Sequence, residues 1–181
     1  MSEKKSIMDY ETVGLDDEKS ALVIIDQTQL PYKTEILTLT NQKDIWTAIY
    51  LLQVRGAPAI GVAAAIGIYL AAKEIQADTY EDFYAQFIKA KEYLASARPT
   101  AVNLFWAISR MKTIIEEATD IQHCKEALVD EAKKIHHEDI AINKTIGENG
   151  QKFLDDGMTV MTYCNAGALA TGGYGTALGV I

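Results

Sequence analysis

The stretch from Pro58 to Ile75 constrains the fold of this chain more than any other. It is apolar on nearly every side, and Gly56–Ala72 runs for 17 residues without a charge. A helix that is hydrophobic all round has to be covered all round. Its small residues Gly61, Ala63, Ala64, Ala65 and Gly67 let neighbours come close to the axis, so the pattern predicts the central helix of a bundle. A membrane span is the competing reading, but it asks for roughly 20 strongly apolar residues, and alanine and glycine dominate here. Pro58 fits the first turn, where its missing N–H is not needed.

The elements that would cover this helix can be read on either side of it. Residues 1–20 are polar and read as loosely held. Ala21–Asp26 (ALVIID) and Glu35–Leu39 (EILTL) are short runs with β-branched content, separated by a turn at Pro31, and predict a small hairpin or meander. Thr40 or Asn41 caps a helix over Gln42–Val54, with Ile45, Trp46, Ile49 and Leu52 as its stripe. Thr79 with Asp82 resembles a capping box, and Tyr80, Phe83, Tyr84, Phe87 and Leu94 line one face of a helix ending near Ser96. Pro99 is expected to open the next, with Val102, Phe105, Trp106, Ile108, Met111 and Ile115 inward. Gln122–Asp155 reads as one long helix, or as two, because Gly147 and Gly150 weaken it. Met158–Cys164 (MTVMTYC) predicts a strand, and the glycine-rich Asn165–Ile181 a loop that opens a helix.

The fold class that follows is α/β overall. A small β element at 21–39 and a helical bundle at 41–156 form an N-terminal domain over 1–156. The first strand–loop–helix of a second α/β domain begins at 157, and the chain is expected to be truncated there, since a lone strand is not stable without partners. Hydrophobic residues make up 49% of the chain and charged ones 23%, enough to bury a real core. A net charge of −8 argues against nucleic acid and anionic membrane as main partners, because both need clustered Lys and Arg. Two cysteines, Cys124 and Cys164, are too few for a disulfide framework, and the polar Met1–Tyr10 does not read as a leader, so a cytoplasmic setting is expected.

Two arginines stand just ahead of prolines, at Arg55-Gly56-Ala57-Pro58 and Arg98-Pro99. A helix start leaves N–H groups unpaired at the positive end of its dipole, and a guanidinium beside it adds a fork that fits phosphate or carboxylate. Twice in one chain, the device points to an anionic small molecule; a surface arginine in a helix connector is the plainer alternative. Cys164 ends an apolar run just before a predicted helix, where α/β proteins deliver functional groups. Its thiol can exchange a proton or attack as thiolate, or it can be a small buried hydrophobe. Gly172-Gly173-Tyr174-Gly175 has neither the dinucleotide nor the P-loop spacing and reads as a tight turn near a ligand. His136-His137-Glu138-Asp139 lacks metal-ligand spacing and reads as a solvated helix face. No metal or cofactor is expected.

Taken together, four segments resemble one family. They are Asp26-Gln27-Thr28 with Leu30-Pro31, Val54 to Gly61 (VRGAPAIG), Arg98 to Leu104 (RPTAVNL) with Trp106, and Cys164-Asn165-Ala166-Gly167 running on to Leu178. The family is 5-methylthioribose-1-phosphate isomerase, the aldose–ketose isomerase of methionine salvage. The resemblance implies a homodimeric, cofactor-free enzyme with an N-terminal helical domain followed by a Rossmann-like domain. It also implies that Arg55, Gly56, Ala57 and Arg98 hold a sugar-phosphate substrate and that Cys164 is catalytic. The catalytic aspartate of that family, and its downstream Asn-Lys and Gln contacts, have no counterpart in these 181 residues. The chain is therefore expected to carry part of an active site and to be inactive alone. Ribose-1,5-bisphosphate isomerase shares similar motifs, and the non-catalytic regulatory subunits of the initiation-factor exchange complex share the architecture; both are rival readings.

Overall fold

The computed structural model describes residues 11–118 and 120–181, and the fold is mixed α/β. Three short strands, β1 (Val13–Asp16), β2 (Ala21–Ile25) and β3 (Ile36–Leu39), form an antiparallel sheet in that order. The register pairs Leu15 with Leu22 and Val23 with Thr38. Five helices follow: α1 (Gln42–Tyr50), α2 (Ala57–Glu74), α3 (Tyr80–Ala95), α4 (Val102–Glu117) and α5 (Ile121–Gly150). β1 lies inside the segment expected to be loosely held. Val13 and Leu15 give it only two apolar side chains among charged neighbours, too few to announce a strand without its partner β2. Residues 1–10, the rest of that expectation, lie outside the described residues.

The all-round apolar helix is indeed the centre. Every α2 residue from Ala59 to Ala72 is buried, with α1, α3, α4, α5 and the sheet around it. Its glycines are contact points. A Cβ on Gly67 would sit 2.9 Å from Ile45 Cγ2, and one on Gly61 3.3 Å from the Asn103 carbonyl oxygen. Gly61 thus lets the start of α4 lie close against α2, which brings the second arginine segment towards the first.

Several boundaries differ from those read in the sequence. Asn41 is the cap of α1, its Oδ1 accepting from Asp44 N at 3.0 Å, but the helix ends at Tyr50, and Leu52 takes a left-handed φ of 60°. α4 begins at Val102, not at Pro99, because Arg98–Ala101 closes a turn in which Ala101 N donates to the Arg98 carbonyl. The buried stripe of α4 is Leu104, Ala107, Ile108, Met111 and Ile115, while Val102, Phe105 and Trp106 are exposed by 77, 41 and 49%. α5 is one helix that runs through Gly147. A Cβ there would fall 2.5 Å from the Gly179 oxygen, so the glycine admits the end of the chain against the helix.

The strand expected at Met158–Cys164 is not formed, and neither is an α-helix after it. Residues 158–163 carry no ladder, and the only helical turn beyond them among the described residues is a 3-10 turn at Ala168–Ala170. The reason is physical: a strand exists through its neighbour's hydrogen bonds, and among the described residues this segment pairs with none of β1, β2 or β3.

Candidate active site

Three separate stretches of chain meet at one cleft of about 480 Å³, lined among others by Arg55, Gly56, Ala57, Arg98 and Cys164. All five residues singled out from sequence therefore share one cavity. The loop that delivers Arg55 is pinned from both sides. Val54 is fully buried, Gln27 N donates to the Gln53 carbonyl, and Gln53 Nε2 donates to Asp26 Oδ2 at 2.9 Å. Asp26, itself buried, also receives Thr28 N and Thr28 Oγ1 on its Oδ1, at 2.9 and 2.6 Å. The Asp-Gln-Thr signature is thus a fastening for the arginine loop.

The helix starts fall into two groups. α1, α3 and α5 are capped by the side chains of Asn41, Thr79 and Asp120. α2 and α4 are not: their N-cap residues are Gly56 and Ala101, which have no acceptor to offer. These two uncapped starts are the ones that open onto the cleft, through Gly56, Ala57, Val102 and Asn103. Free N–H groups and the positive dipole ends therefore face the same space.

The cations add to this. Among the described residues no carboxylate lies within ion-pair distance of Arg55 or Arg98. Arg98 Nε and Asn165 Nδ2 are buried and have no hydrogen-bond partner among the described residues. A buried unpaired donor costs about 1–3 kcal/mol, so such groups are retained where a ligand satisfies them. Cys164 sits here with a φ of 70°, in the left-handed region that a non-glycine residue seldom occupies, and its side chain is exposed. Cys124 is its opposite: fully buried, its thiol pushed up by loss of solvent, and remote in role from the cleft.

The wall carrying Cys164 is held by residues the sequence reading did not assign to the site. Thr12 Oγ1 donates to the Ala168 carbonyl at 2.7 Å and Gln27 Nε2 to the Leu169 carbonyl at 2.6 Å. From α5, His136 Nε2 lies 3.0 Å from the Gly172 oxygen, Gly172 N donates to Asp139 Oδ2 at 2.6 Å, and Asn143 Nδ2 donates to Asp139 Oδ1 at 3.2 Å. The His136–Asp139 stretch is therefore not simply a solvated face: His136 is buried and clamps a loop, while its neighbour His137 is exposed. The signal was present as a spacing, since 136, 139, 143 and 147 fall on one side of a helix. It had no meaning until a glycine-rich loop was laid across it.

Burial holds the Asp139 carboxyl above the usual aspartate range, against the pull of the Gly172 N–H. A carboxyl whose folded value is raised binds its proton more tightly folded than unfolded. Its contribution to stability is thus greatest in acid and declines as pH rises from the unfolded value through the folded one. Asp139→Asn, which keeps an acceptor for Gly172 N, is expected to gain in Tm relative to the wild type as pH rises from about 4 to 7. Thermal melts of both proteins across that range check it; a gap that stays constant counts against the assignment.

Residues 53–181 match the model of the initiation factor 2 subunit family. A methylthioribose-1-phosphate isomerase of Symbiobacterium thermophilum is 55% identical over 94% of this chain and 48% of its own length. A 5-deoxyribose 1-phosphate isomerase of Petrotoga mobilis is 48% identical over 93% of this chain and 49% of its own. Among solved structures, 5-methylthioribose 1-phosphate isomerase from Pyrococcus horikoshii OT3 superposes with a TM-score of 0.87 at 40% identity, covering 94% of this chain and 48% of that one. The delta subunit of translation initiation factor eIF-2B from A. fulgidus gives 0.83 at 44%, covering 94% and 49%. The chain spans about half the length of these relatives. With most of its length matched by the family model, this chain belongs to the initiation factor 2 subunit family.

Proposed function

We propose that this chain supplies one half of an aldose–ketose isomerase that converts 5-methylthioribose 1-phosphate to 5-methylthioribulose 1-phosphate in methionine salvage. The observation that carries the reading is the cleft itself: two guanidinium groups with no carboxylate partner among the described residues, two uncapped helix starts and an exposed thiol around one space. The names of its relatives agree, with a methylthio sugar in one case and a 5-deoxy sugar in another, each phosphorylated at C1.

On this reading Arg55, the Gly56-Ala57 backbone and Arg98 bind the sugar phosphate, with the helix starts facing its negative charge. A phosphate on C1 blocks simple opening to a free aldehyde. The site has to open the ring with the phosphate in place and then move hydrogen from C2 to C1. Cys164 stands beside those carbons, where a thiol suits either proton transfer at C2 or a hydride shift, once the second half closes the cleft from bulk water. The acid at the ring oxygen comes from a second, Rossmann-like half such as the longer relatives have room for, reached from residue 157 onward. The complete protein works as a cytoplasmic homodimer without metal or cofactor.

The test is ketose formation from 5-methylthioribose 1-phosphate by two proteins: the 181-residue chain, and the same chain joined to the second half of the Symbiobacterium relative. The chain alone is expected to bind the sugar phosphate without turning it over. The joined protein is expected to turn over, and to lose at least about 10²-fold with Cys164→Ala, the scale of a positioned acid or base. Robust turnover by the chain alone would overturn the shared active site. Sugar-phosphate binding by neither protein would favour the regulatory reading.

A further inference from the structure

Beside the arginine cleft lies a second cavity of about 500 Å³ between α2, α4 and α5, and the two share Pro58, Val102 and Asn103 in their walls. Its walls are otherwise largely apolar: Val62 from α2, Trp106 from α4, and Ile135 and Ile142 from α5. Trp106 and Ile142 are 49 and 59% exposed, so the cavity displays large apolar side chains that the core does not use. The stripe of α4 turns away from them, because Leu104, Ala107 and Met111 make the contacts with the bundle.

The charges at this end are arranged in the opposite sense from those in the arginine cleft. Arg110, the one cation on the wall, is engaged by two carboxylates. Its Nε bonds Glu131, its Nη1 lies 2.6 Å from Glu138, and its guanidinium is 5.6 Å from the Trp106 ring centre. Glu138 and Asp139 also line the cavity. Among the described residues no unpaired cation lines this cavity, and the carboxylates of Glu131, Glu138 and Asp139 outnumber the Arg110 guanidinium. One end of the joined space thus attracts an anion, and the other suits an uncharged, apolar group.

We infer that the α2–α4–α5 cavity is the subsite for the uncharged 5-substituent of the sugar, with Trp106 as its principal contact and the carboxylate-bound Arg110 as the device that rejects a 5-phosphate. The inference rests on the sugar 1-phosphate reading given above, since it takes the C1 phosphate to lie with Arg55 and Arg98. The shared wall then directs the far end of a ribose towards Trp106. An apolar thioether gains there by leaving water, a hydroxyl gains less, and a phosphate meets two carboxylates across a tied-up guanidinium.

Equilibrium binding to the 181-residue chain tests this with four ligands: 5-methylthioribose 1-phosphate, 5-deoxyribose 1-phosphate, ribose 1-phosphate and ribose 1,5-bisphosphate. The wild type is expected to prefer the methylthio sugar over ribose 1-phosphate by about tenfold or more, the range a small apolar group commands in a fitted pocket. It should take the bisphosphate no better than ribose 1-phosphate. Trp106→Ala should erase most of the methylthio preference, weakening 5-methylthioribose 1-phosphate binding far more than ribose 1-phosphate binding, since the residues that bury α4 in the bundle are Leu104, Ala107, Ile108, Met111 and Ile115. Glu138→Gln, which frees Arg110 on one side, should improve bisphosphate binding by about tenfold. Equal loss of all four ligands in Trp106→Ala, or tight bisphosphate binding by the wild type, overturns the subsite and leaves the arginine cleft standing. If none of the four ligands binds, the arginine cleft reading falls and this inference falls with it.

Discussion

Gly56→Ala is expected to destabilise the protein by about 3–5 kcal/mol and to abolish sugar-phosphate binding. Two effects add. Gly56 has a φ of 97°, a conformation reserved largely for glycine, and holding an alanine there costs about 1–3 kcal/mol. The new methyl would also lie 2.5 Å from the Ala170 oxygen and 2.7 Å from its Cβ. The backbone of the Cys164 wall would have to move, and overpacking of that kind costs about 1–3 kcal/mol more. Ala170 is buried and follows a carbonyl already tied to Gln27, so it has nowhere to retreat.

A second glycine separates the two effects. Gly157 also has a positive φ, 84°, but a Cβ there meets nothing within 4 Å. Gly157→Ala should therefore cost only about 1 kcal/mol, from the backbone alone. Urea denaturation of both variants makes the comparison. With a slope near 2 kcal/mol per molar for a chain of this size, the midpoints should differ by about 1–2 M. Coincident midpoints would mean that Gly56 does not touch the wall as described.

Arg98→Ala should do the reverse: weaken sugar-phosphate binding by about 10²-fold or more while leaving stability unchanged or slightly higher. The guanidinium has no counter-ion among the described residues, and its Nε is buried unpaired, so the folded chain gains little from it without ligand. Bound phosphate turns that cost into charge-assisted bonds, and losing them is worth about 3 kcal/mol, which is the hundredfold in affinity. Arg98→Lys should recover only a fraction, because an ammonium cannot replace a planar fork. Calorimetric titration together with thermal melts reads both halves of this prediction. An Arg98→Ala protein that binds normally, or one that unfolds far earlier than the wild type, would show the arginine to be structural.

Much of the helical frame could be read from local rules. Asn41 and Thr79 cap where their side chains can reach N3 amides, and Phe83, Phe87 and Leu94 are buried as their spacing requires. Local rules failed where the answer depended on distant chain. β1 needs β2 to exist, and 158–163 lacks a strand because none of the described strands pairs with it. The apolar Val102, Phe105 and Trp106 looked like core by composition, yet the rotation of α4 against Gly61 of α2 turns them outward.

The candidate site divides along the same line. Arg55, Arg98 and Cys164 could be named as candidates because a forked cation or a thiol beside an expected helix start can be weighed where it stands, and the structure places all three on one cleft. Their fasteners could not be named. Gln27, Thr12, His136 and Asp139 are ordinary polar residues that acquire a role only through the carbonyls and amides of a loop more than thirty positions away.

By itself the sequence determined which helix is central and which cationic and thiol side chains are candidates for a site, since hydrophobicity and charge are properties of residues. Only the tertiary structure decided that the two arginine segments and the cysteine share one cleft, that its two helix starts are the uncapped ones, and that an apolar cavity adjoins it. Those are properties of position. They are set by how closely Gly61 and Gly56 let distant backbones approach, and no local pattern records that distance.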